Sequence, residues 1–177
     1  EEPLTYEPGK SCLYSDLGFM ILHWAIEAVT GQRLNEHVCR AVYEPFGLDM
    51  LFFNPLSDCK KASYAATEDC PWRGKVLEGE VHDDNAYAVG GVAGHAGLFG
   101  TAWSVYSLLL VLLDTYRGII HDGVFNQETV RTFFTRQYPT CTWALGFDTP
   151  SRPDSSSGRY FSERSVGHLG FTGTSFW

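Results

Sequence analysis

Residues 8–20 carry the strongest structural signal in the chain and run Pro8-Gly9-Lys10-Ser11-Cys12-Leu13-Tyr14-Ser15-Asp16-Leu17-Gly18-Phe19-Met20. Asp16 stands directly before an apolar series at helical spacing, which consists of Leu17, Met20, Ile21, Trp24, Ala25 and Ala28. Gly31 ends this series, so the pattern predicts a helix with Asp16 as its N-cap. Tyr14 and Asp16 are two residues apart, and in extended backbone both side chains would point to one cleft. The alternative is an ordinary helix cap beside an ordinary surface aromatic.

The rest of the chain predicts an α+β fold, with helices in the middle and strands toward the end. A short helix is expected over 35–43, stopped by Pro45 and Gly47. Residues 52–79 show no sustained period and predict a long surface excursion. A flexible glycine-rich segment follows over 90–100, and then come helices over 102–116, with Thr101 as cap, and 127–137. Two strands are expected, over 142–148 and 166–177.

Composition indicates one globular domain over residues 1–177, because the chain is 44% hydrophobic and 15% aromatic. The net charge of −8, with 13 basic and 21 acidic residues, argues against a nucleic-acid partner. The apolar run over 105–113 is too short to span a membrane. Five cysteines form no Cys-x-x-Cys motif. We expect free thiols and a cytoplasmic protein, with a periplasmic location as the alternative because Glu1 is not a start methionine.

Several other patterns bear on a ligand site. His168-Leu169-Gly170-Phe171-Thr172-Gly173 alternates around glycines, which indicates either close approach of a ligand or a β-bulge at a sheet edge. Four residues are candidate metal ligands, namely His82, Asp83, Asp84 and His95. Their spacing does not match a His-x-x-x-His motif, which argues against a metal site. The glycines at 91, 94 and 97 lack the other features of a dinucleotide site. We therefore expect neither a metal nor a cofactor.

The order of separated motifs resembles the serine β-lactamase-like hydrolases, and most closely their class C-like branch, which includes D-Ala-D-Ala carboxypeptidases and esterases. The resemblance rests on residues 8–20 followed by three further segments, which are Glu44-Pro45-Phe46-Gly47-Leu48, Gly94-His95-Ala96-Gly97-Leu98-Phe99-Gly100-Thr101 and His168-Leu169-Gly170-Phe171-Thr172-Gly173. It implies a β-lactamase/transpeptidase-like α+β fold, here a helical region and part of an antiparallel sheet, incomplete at both ends.

The resemblance also implies roles for individual residues. Tyr14-Ser15-Asp16 matches the family's second motif, and His168-Leu169-Gly170 matches the third. Tyr14 would share proton transfer with the lysine of a first motif, Ser-x-x-Lys. Asp16 would hold that lysine as an ammonium ion, and His168, mostly neutral at pH 7, would attract a substrate carboxylate less strongly than lysine does. Substrate would bind along Gly170, Phe171 and Thr172, with the Phe171 N–H in the oxyanion hole.

The expected function is hydrolysis of a small ester, amide, lactam or cell-wall peptide through an acyl-enzyme. No Ser-x-x-Lys precedes Tyr14, and Ser57-Asp58-Cys59-Lys60 follows it in a Pro-flanked segment, so we interpret it as a chance match. We therefore expect the 177-residue chain to be inactive by itself. We also expect it to self-associate, because strands missing at both ends would leave the strand near His168 with unpaired backbone groups. The alternatives are a non-catalytic peptidoglycan- or ligand-binding relative and a metal-dependent hydrolase.

Overall fold

Helix α1 (Asp16–Thr30) confirms the first predicted helix, with a change at its N-cap. The computed structural model describes residues 3–57, 63–121 and 123–177. Ser15 is the cap, because its backbone is extended (φ −154°) and its Oγ accepts the Leu17 N–H at 3.2 Å. Asp16, expected as the cap, is the first helical residue, where a carboxylate favours the positive end of the helix dipole. Gly31 ends the helix in the left-handed conformation at φ 67°.

Contacts between residues divide the chain into two compact units. The first, residues 15–113, begins with α1 and continues into α2 (Leu34–Val38), a π-helical turn (Cys39–Tyr43) and a 3₁₀ turn (Glu44–Phe46) that Gly47 ends. Strand β1 (Leu51–Phe53) pairs antiparallel with β4 (Leu98–Gly100), and β2 (Asp69–Cys70) pairs with β3 (Lys75–Val76). Helix α3 (Asp84–Ala88) follows β3. The core of this unit contains Tyr43, Leu48, Leu51, Val105 and Leu108.

Residues 52–79, expected on the surface, contribute to the interior. The side chains of Asn54 and Leu77 are fully buried, and Cys70 is nearly so. The glycine-rich segment is tightly packed, although it was expected to be flexible. A Cβ on Gly97 would lie 2.4 Å from the Gly91 carbonyl oxygen, and Gly97 adopts φ +105°. These glycines therefore permit close backbone approach as well as turning.

Helix α4 (Ala102–Arg117) confirms the predicted helix and its cap, because Thr101 Oγ1 accepts the Ser104 N–H at 3.1 Å. The second unit comprises the residues before Ser15 together with 114–177. It contains α5 (Gln127–Phe133), which ends at Phe133 instead of the predicted residue 137. Among the described residues, no helix is both long and apolar enough to cross a bilayer.

The two strands predicted in this unit are wrong in detail, because each contains its own turn. Gly146, at φ 77°, bends the segment 142–148, so that Trp143 and Asp148 face each other across a tight turn. Gly173, at φ 84°, folds the segment 166–177 into a hairpin of β5 (His168–Leu169) and β6 (Ser175–Phe176). The α+β class with small antiparallel sheets is confirmed.

The expectation of free thiols is also wrong, because Cys12 and Cys141 form a disulfide across a sequence separation of 129. Folding brings these two residues together, and no local spacing could have indicated it. Cys70 is a buried thiol, and Cys39 Sγ lies 3.6 Å from Glu44 Oε1. Cys59 lies outside the described residues.

Candidate active site

Three rings from distant parts of the sequence meet in the second unit, and we call Tyr14, Trp143 and His168 the aromatic cluster. The centroid of the Tyr14 ring lies 5.3 Å from that of Trp143 and 6.1 Å from that of His168. Trp143 and His168 are also 6.1 Å apart. The spacing lies within the range of favourable ring contacts. The fold thus brings together Tyr14 and His168, which lie near opposite ends of the sequence.

Covalent and backbone links hold the aromatic cluster in place. The Cys12–Cys141 disulfide joins the two segments that carry Tyr14 and Trp143, each two residues beyond its cysteine. Asp148 then connects Trp143 to the third segment, because it bridges Trp143 on one side and Gly167 on the other. Two backbone hydrogen bonds between Asp148 and Gly167, at 2.7 and 2.9 Å, fix the position of His168.

The His168 ring is held in one tautomer. Its Nδ1 lies 2.7 Å from the Leu169 carbonyl oxygen. Since a carbonyl oxygen only accepts hydrogen bonds, Nδ1 donates and carries the proton. Nε2 of the neutral ring is then an acceptor, available to a substrate N–H or O–H.

The predicted substrate-binding residues lie on the turn between β5 and β6. Gly170 donates its N–H to the Thr174 oxygen at 2.7 Å and accepts the Gly173 N–H at 3.0 Å. Both backbone groups of Gly170 are therefore used by the turn. Phe171 and Thr172, at its tip, are exposed, and 78% of the Phe171 surface is accessible. The predicted oxyanion role of the Phe171 N–H stays a prediction.

A second group of polar residues lies in the first unit, and we call Asp16, Asp83 and His95 the acid–histidine cluster. Metal-binding atoms of the three residues all lie within 4.8 Å of one another. His95 Nε2 is 2.9 Å from Asp83 Oδ1, and only 2% of the His95 side chain is exposed. Of the four residues considered as metal ligands, only Asp83 and His95 thus come together in this cluster. His82 instead pairs with Glu68 at 3.1 Å.

Asp83 is ionised in this cluster at neutral pH. Burial alone raises the pKa of its carboxyl group, but hydrogen bonds from the Ala86 N–H and from His95 lower it by more, so the pKa lies below its ordinary value of 3.8. The Ala86 N–H donates to Asp83 Oδ1 at 2.7 Å and so caps helix α3. An ionised Asp83 accepts the His95 Nε2–H, which fixes the orientation of the imidazole.

Sequence reasoning missed some of these partners. No local signal in the sequence marks Trp143 as a neighbour of Tyr14. Asp83 and His95 were considered only as metal ligands and not as neighbours of Asp16. Ser57 is in the described part of the chain, but Asp58, Cys59 and Lys60 lie outside it, so the geometry of that Ser-x-x-Lys match is not described. A surface depression lined by Lys10–Cys12 and 140–143 includes Trp143 but neither Tyr14 nor His168.

Comparison with known proteins decides the family. The family model described as Beta-lactamase matches residues 1–177. The chain belongs to the beta-lactamase family. It is 37% identical over 187 residues to an Escherichia coli K12 protein named "Putative D-alanyl-D-alanine carboxypeptidase", covering 97% of the chain and 43% of that relative. It is 36% identical over 192 residues to the N-acetylmuramyl-L-alanine amidase of Bacillus subtilis, covering 97% of the chain and 42% of that relative.

Solved structures of low sequence identity share the fold of this chain. A penicillin-binding protein from Bacillus halodurans matches with a TM-score of 0.60 at 19% identity, over 82% of this chain and 42% of that one. An octameric penicillin-binding protein homologue from Pyrococcus abyssi matches with a TM-score of 0.57 at 17% identity, over 82% of this chain and 31% of that one. The chain thus spans less than half the length of these relatives and structures.

Proposed function

We propose that this protein is a serine hydrolase of the D-Ala-D-Ala carboxypeptidase or esterase type, acting through an acyl-enzyme. The observation that carries the proposal is the aromatic cluster in a chain of the beta-lactamase family. The ring centroids of Tyr14, in the second motif, and His168, in the third motif, are 6.1 Å apart. A proton-transferring phenol and a strand that binds the substrate carbonyl must face the same reacting group. The proximity of the two motifs supports the proposal.

In this proposal, Tyr14 transfers a proton between the attacking serine and the leaving group. Asp16 holds the lysine of the first motif as an ammonium ion, and His168 binds the substrate through Nε2. Gly170, Phe171 and Thr172 contact the acyl part of the substrate, with the Phe171 N–H directed at the oxyanion. The attacking serine belongs to a Ser-x-x-Lys motif on a segment before Tyr14. Residues 1–13 contain no such motif, so we predict that residues 1–177 alone do not turn over substrate.

The substrate class is a cell-wall peptide, or a small ester, amide or lactam that resembles its acyl group. Two relatives have names that refer to D-alanyl-D-alanine and to N-acetylmuramyl-L-alanine, which supports a cell-wall peptide. A histidine in the place of the third-motif lysine attracts a substrate carboxylate less strongly, which favours esters over the carboxylate-bearing penicillins. The rival function is a relative that binds the same ligands without forming an acyl-enzyme.

Acylation of the full-length protein tests the proposal. A fluorophosphonate probe and a fluorescent penicillin should label one serine, and D-alanine should be released from a D-Ala-D-Ala peptide. Tyr14→Phe should slow acylation by about 10²–10⁴-fold, because it removes the proton-transferring hydroxyl. Tyr160→Phe is the matched control, since Tyr160 is 84% exposed. Peptide binding without any labelling would favour the rival, and undiminished acylation by Tyr14→Phe would contradict the role of Tyr14.

A further inference from the structure

His95 is a buried imidazole beside two carboxylates, and the mechanism above does not use it. Its side chain is 2% exposed, and its Nε2 contacts Asp83 Oδ1 at 2.9 Å. Asp16, in the first turn of α1, completes a group whose polar atoms lie within 4.8 Å of one another. Within the described chain, His95 Nδ1 has no hydrogen-bond partner.

The backbone fixes His95 from two sides. Asp83 is held by its capping bond to the Ala86 N–H at 2.7 Å, so it presents the carboxylate to His95 in one orientation. On the other side, Gly94 packs directly against α1. A Cβ at Gly94 would lie 2.3 Å from the Phe19 carbonyl oxygen and 3.0 Å from His23 Cβ. The turn that carries His95 is thus seated on the helix whose first turn carries Asp16.

Electrostatics gives this placement a consequence for Asp16. Two carboxylates this close repel each other, and they do so more strongly where water is excluded. His95 directs its Nε2–H at Asp83 and lies beside Asp16, so the space open to the Asp16 carboxylate depends on where the imidazole is held. Asp16 belongs to the motif Tyr14-Ser15-Asp16 assigned to the active site.

We propose that His95, oriented by Asp83, is a positioning residue that fixes the Asp16 carboxylate for catalysis. The proposal deepens the proposed function and rests on it for its kinetic consequence. His95 acts through Asp16 and does not touch the substrate. The Gly94-His95-Ala96-Gly97 segment thereby has a role beyond a tight turn, since it links α1 to the N-cap of α3.

The orientation of Asp16 can be measured in residues 1–177 without any enzymatic activity. Three-bond Hα–Hβ couplings should report one dominant Asp16 rotamer in the wild type and averaging in His95→Leu. His95→Gln should restore the wild-type couplings, because the glutamine amide N–H can replace Nε2–H as the donor to Asp83. Unchanged Asp16 couplings in a folded His95→Leu variant would overturn the proposal.

The kinetic consequence is tested in the full-length protein with a double-mutant cycle. His95→Leu should lower kcat/KM roughly tenfold, and His95→Gln should restore most of the loss. In an Asp16→Asn background, His95→Leu should cause no further loss. His82→Gln is the matched control, because this nearby histidine pairs with Glu68 instead. Equal losses in both backgrounds would indicate a structural role and overturn the proposal.

Two further results distinguish the positioning role of His95 from the proposed hydrolase function and from a metal site. A wild type that shows the expected Asp16 couplings but acylates no substrate would contradict the proposed function and leave the positioning of Asp16 standing. Elemental analysis and titration with Zn²⁺ or Mn²⁺ address metal binding by the same three residues. A stoichiometric metal that is lost in His95→Gln would overturn the positioning role in favour of a metal site.

Discussion

Arg73, in the first unit, is a buried arginine whose guanidinium group makes several hydrogen bonds and packs against two aromatic rings. Its side chain is 2% exposed, and the guanidinium lies 3.9 Å from the Tyr87 ring centroid and 4.7 Å from that of Trp72. Its nitrogens also contact four oxygens within 3.3 Å, which belong to Glu80, Val81, His82 and Asp84. A planar fork with several donors makes these contacts together, and a lysine ammonium cannot.

Arg73→Lys should therefore lower the free energy of unfolding by about 1–3 kcal/mol, because buried acceptors lose their donors. Arg152→Lys is the control, since Arg152 and its partner Glu163 are both largely exposed and 3.8 Å apart. Urea unfolding followed by circular dichroism measures both variants. Equal midpoints for Arg73→Lys and the wild type would show that the contacts around Arg73 do not stabilise the unit.

The charge of Asp83 makes stability depend on pH. Because the pKa of Asp83 in the folded protein is lowered below 3.8, its contribution is present at pH values above 3.8 and is lost as pH falls through the folded value. Asp83→Asn should be less stable at pH 7 by on the order of 1 kcal/mol. It should also lose less stability than the wild type between about pH 5 and pH 2. Asp154→Asn, at an exposed position, should follow the wild-type profile. An Asp83→Asn profile parallel to the wild type would contradict this linkage.

Two glycines near α1 differ in what surrounds them. Gly94→Ala places a Cβ 2.3 Å from the Phe19 carbonyl oxygen, and we expect a loss of about 1–3 kcal/mol from overpacking. Gly18 lies inside α1, where an added Cβ meets nothing within 4 Å. Gly18→Ala should therefore raise the free energy of unfolding by about 0.4–1 kcal/mol. Thermal unfolding of the pair should shift in opposite directions. A neutral Gly94→Ala would mean that the 90–100 segment can move away from α1, which would agree with the flexibility predicted for this segment from the sequence.

At the scale of elements, the predictions that held depend on local signals. Gly31 and Thr101 determine helix boundaries through bonds within one turn, so the sequence near them is sufficient. The strand over 142–148 failed because alternation and β-branched residues do not reveal that Gly146 takes a positive φ. For the site, motif order paired Tyr14 with His168. Trp143 belongs to none of those motifs, and its position beside Tyr14 and His168 is seen only in the folded structure.

At the scale of the whole molecule, the disulfide changes one premise of the sequence analysis. The cytoplasmic expectation rested on free thiols, and Cys12–Cys141 removes that support, since disulfides persist mainly in oxidising compartments. The compartment stays a prediction. Self-association, expected at the strand near His168, also stays a prediction. Several apolar residues of α1 are exposed as well, namely Leu17, Ile21, Leu22, Trp24 and Val29.

The disulfide should also stabilise the folded chain. A cross-link with a sequence separation of 129 restricts the unfolded chain over most of its length, and by chain entropy it should stabilise the fold by about 2–5 kcal/mol. A Cys12→Ala/Cys141→Ala variant should therefore unfold at lower urea concentration than the wild type. Dithiothreitol should lower the wild-type midpoint to that of the variant and leave the variant unchanged.

Cys39→Ala controls for loss of a thiol as such, because Cys39 is not part of the disulfide. It should keep the full response to dithiothreitol. Near-ultraviolet circular dichroism should change on reduction at the same time, since the disulfide joins the segments that hold Tyr14 against Trp143. If reduction leaves both the urea midpoint and the aromatic signal unchanged, other contacts hold the aromatic cluster together, and the cross-link is not what positions Tyr14.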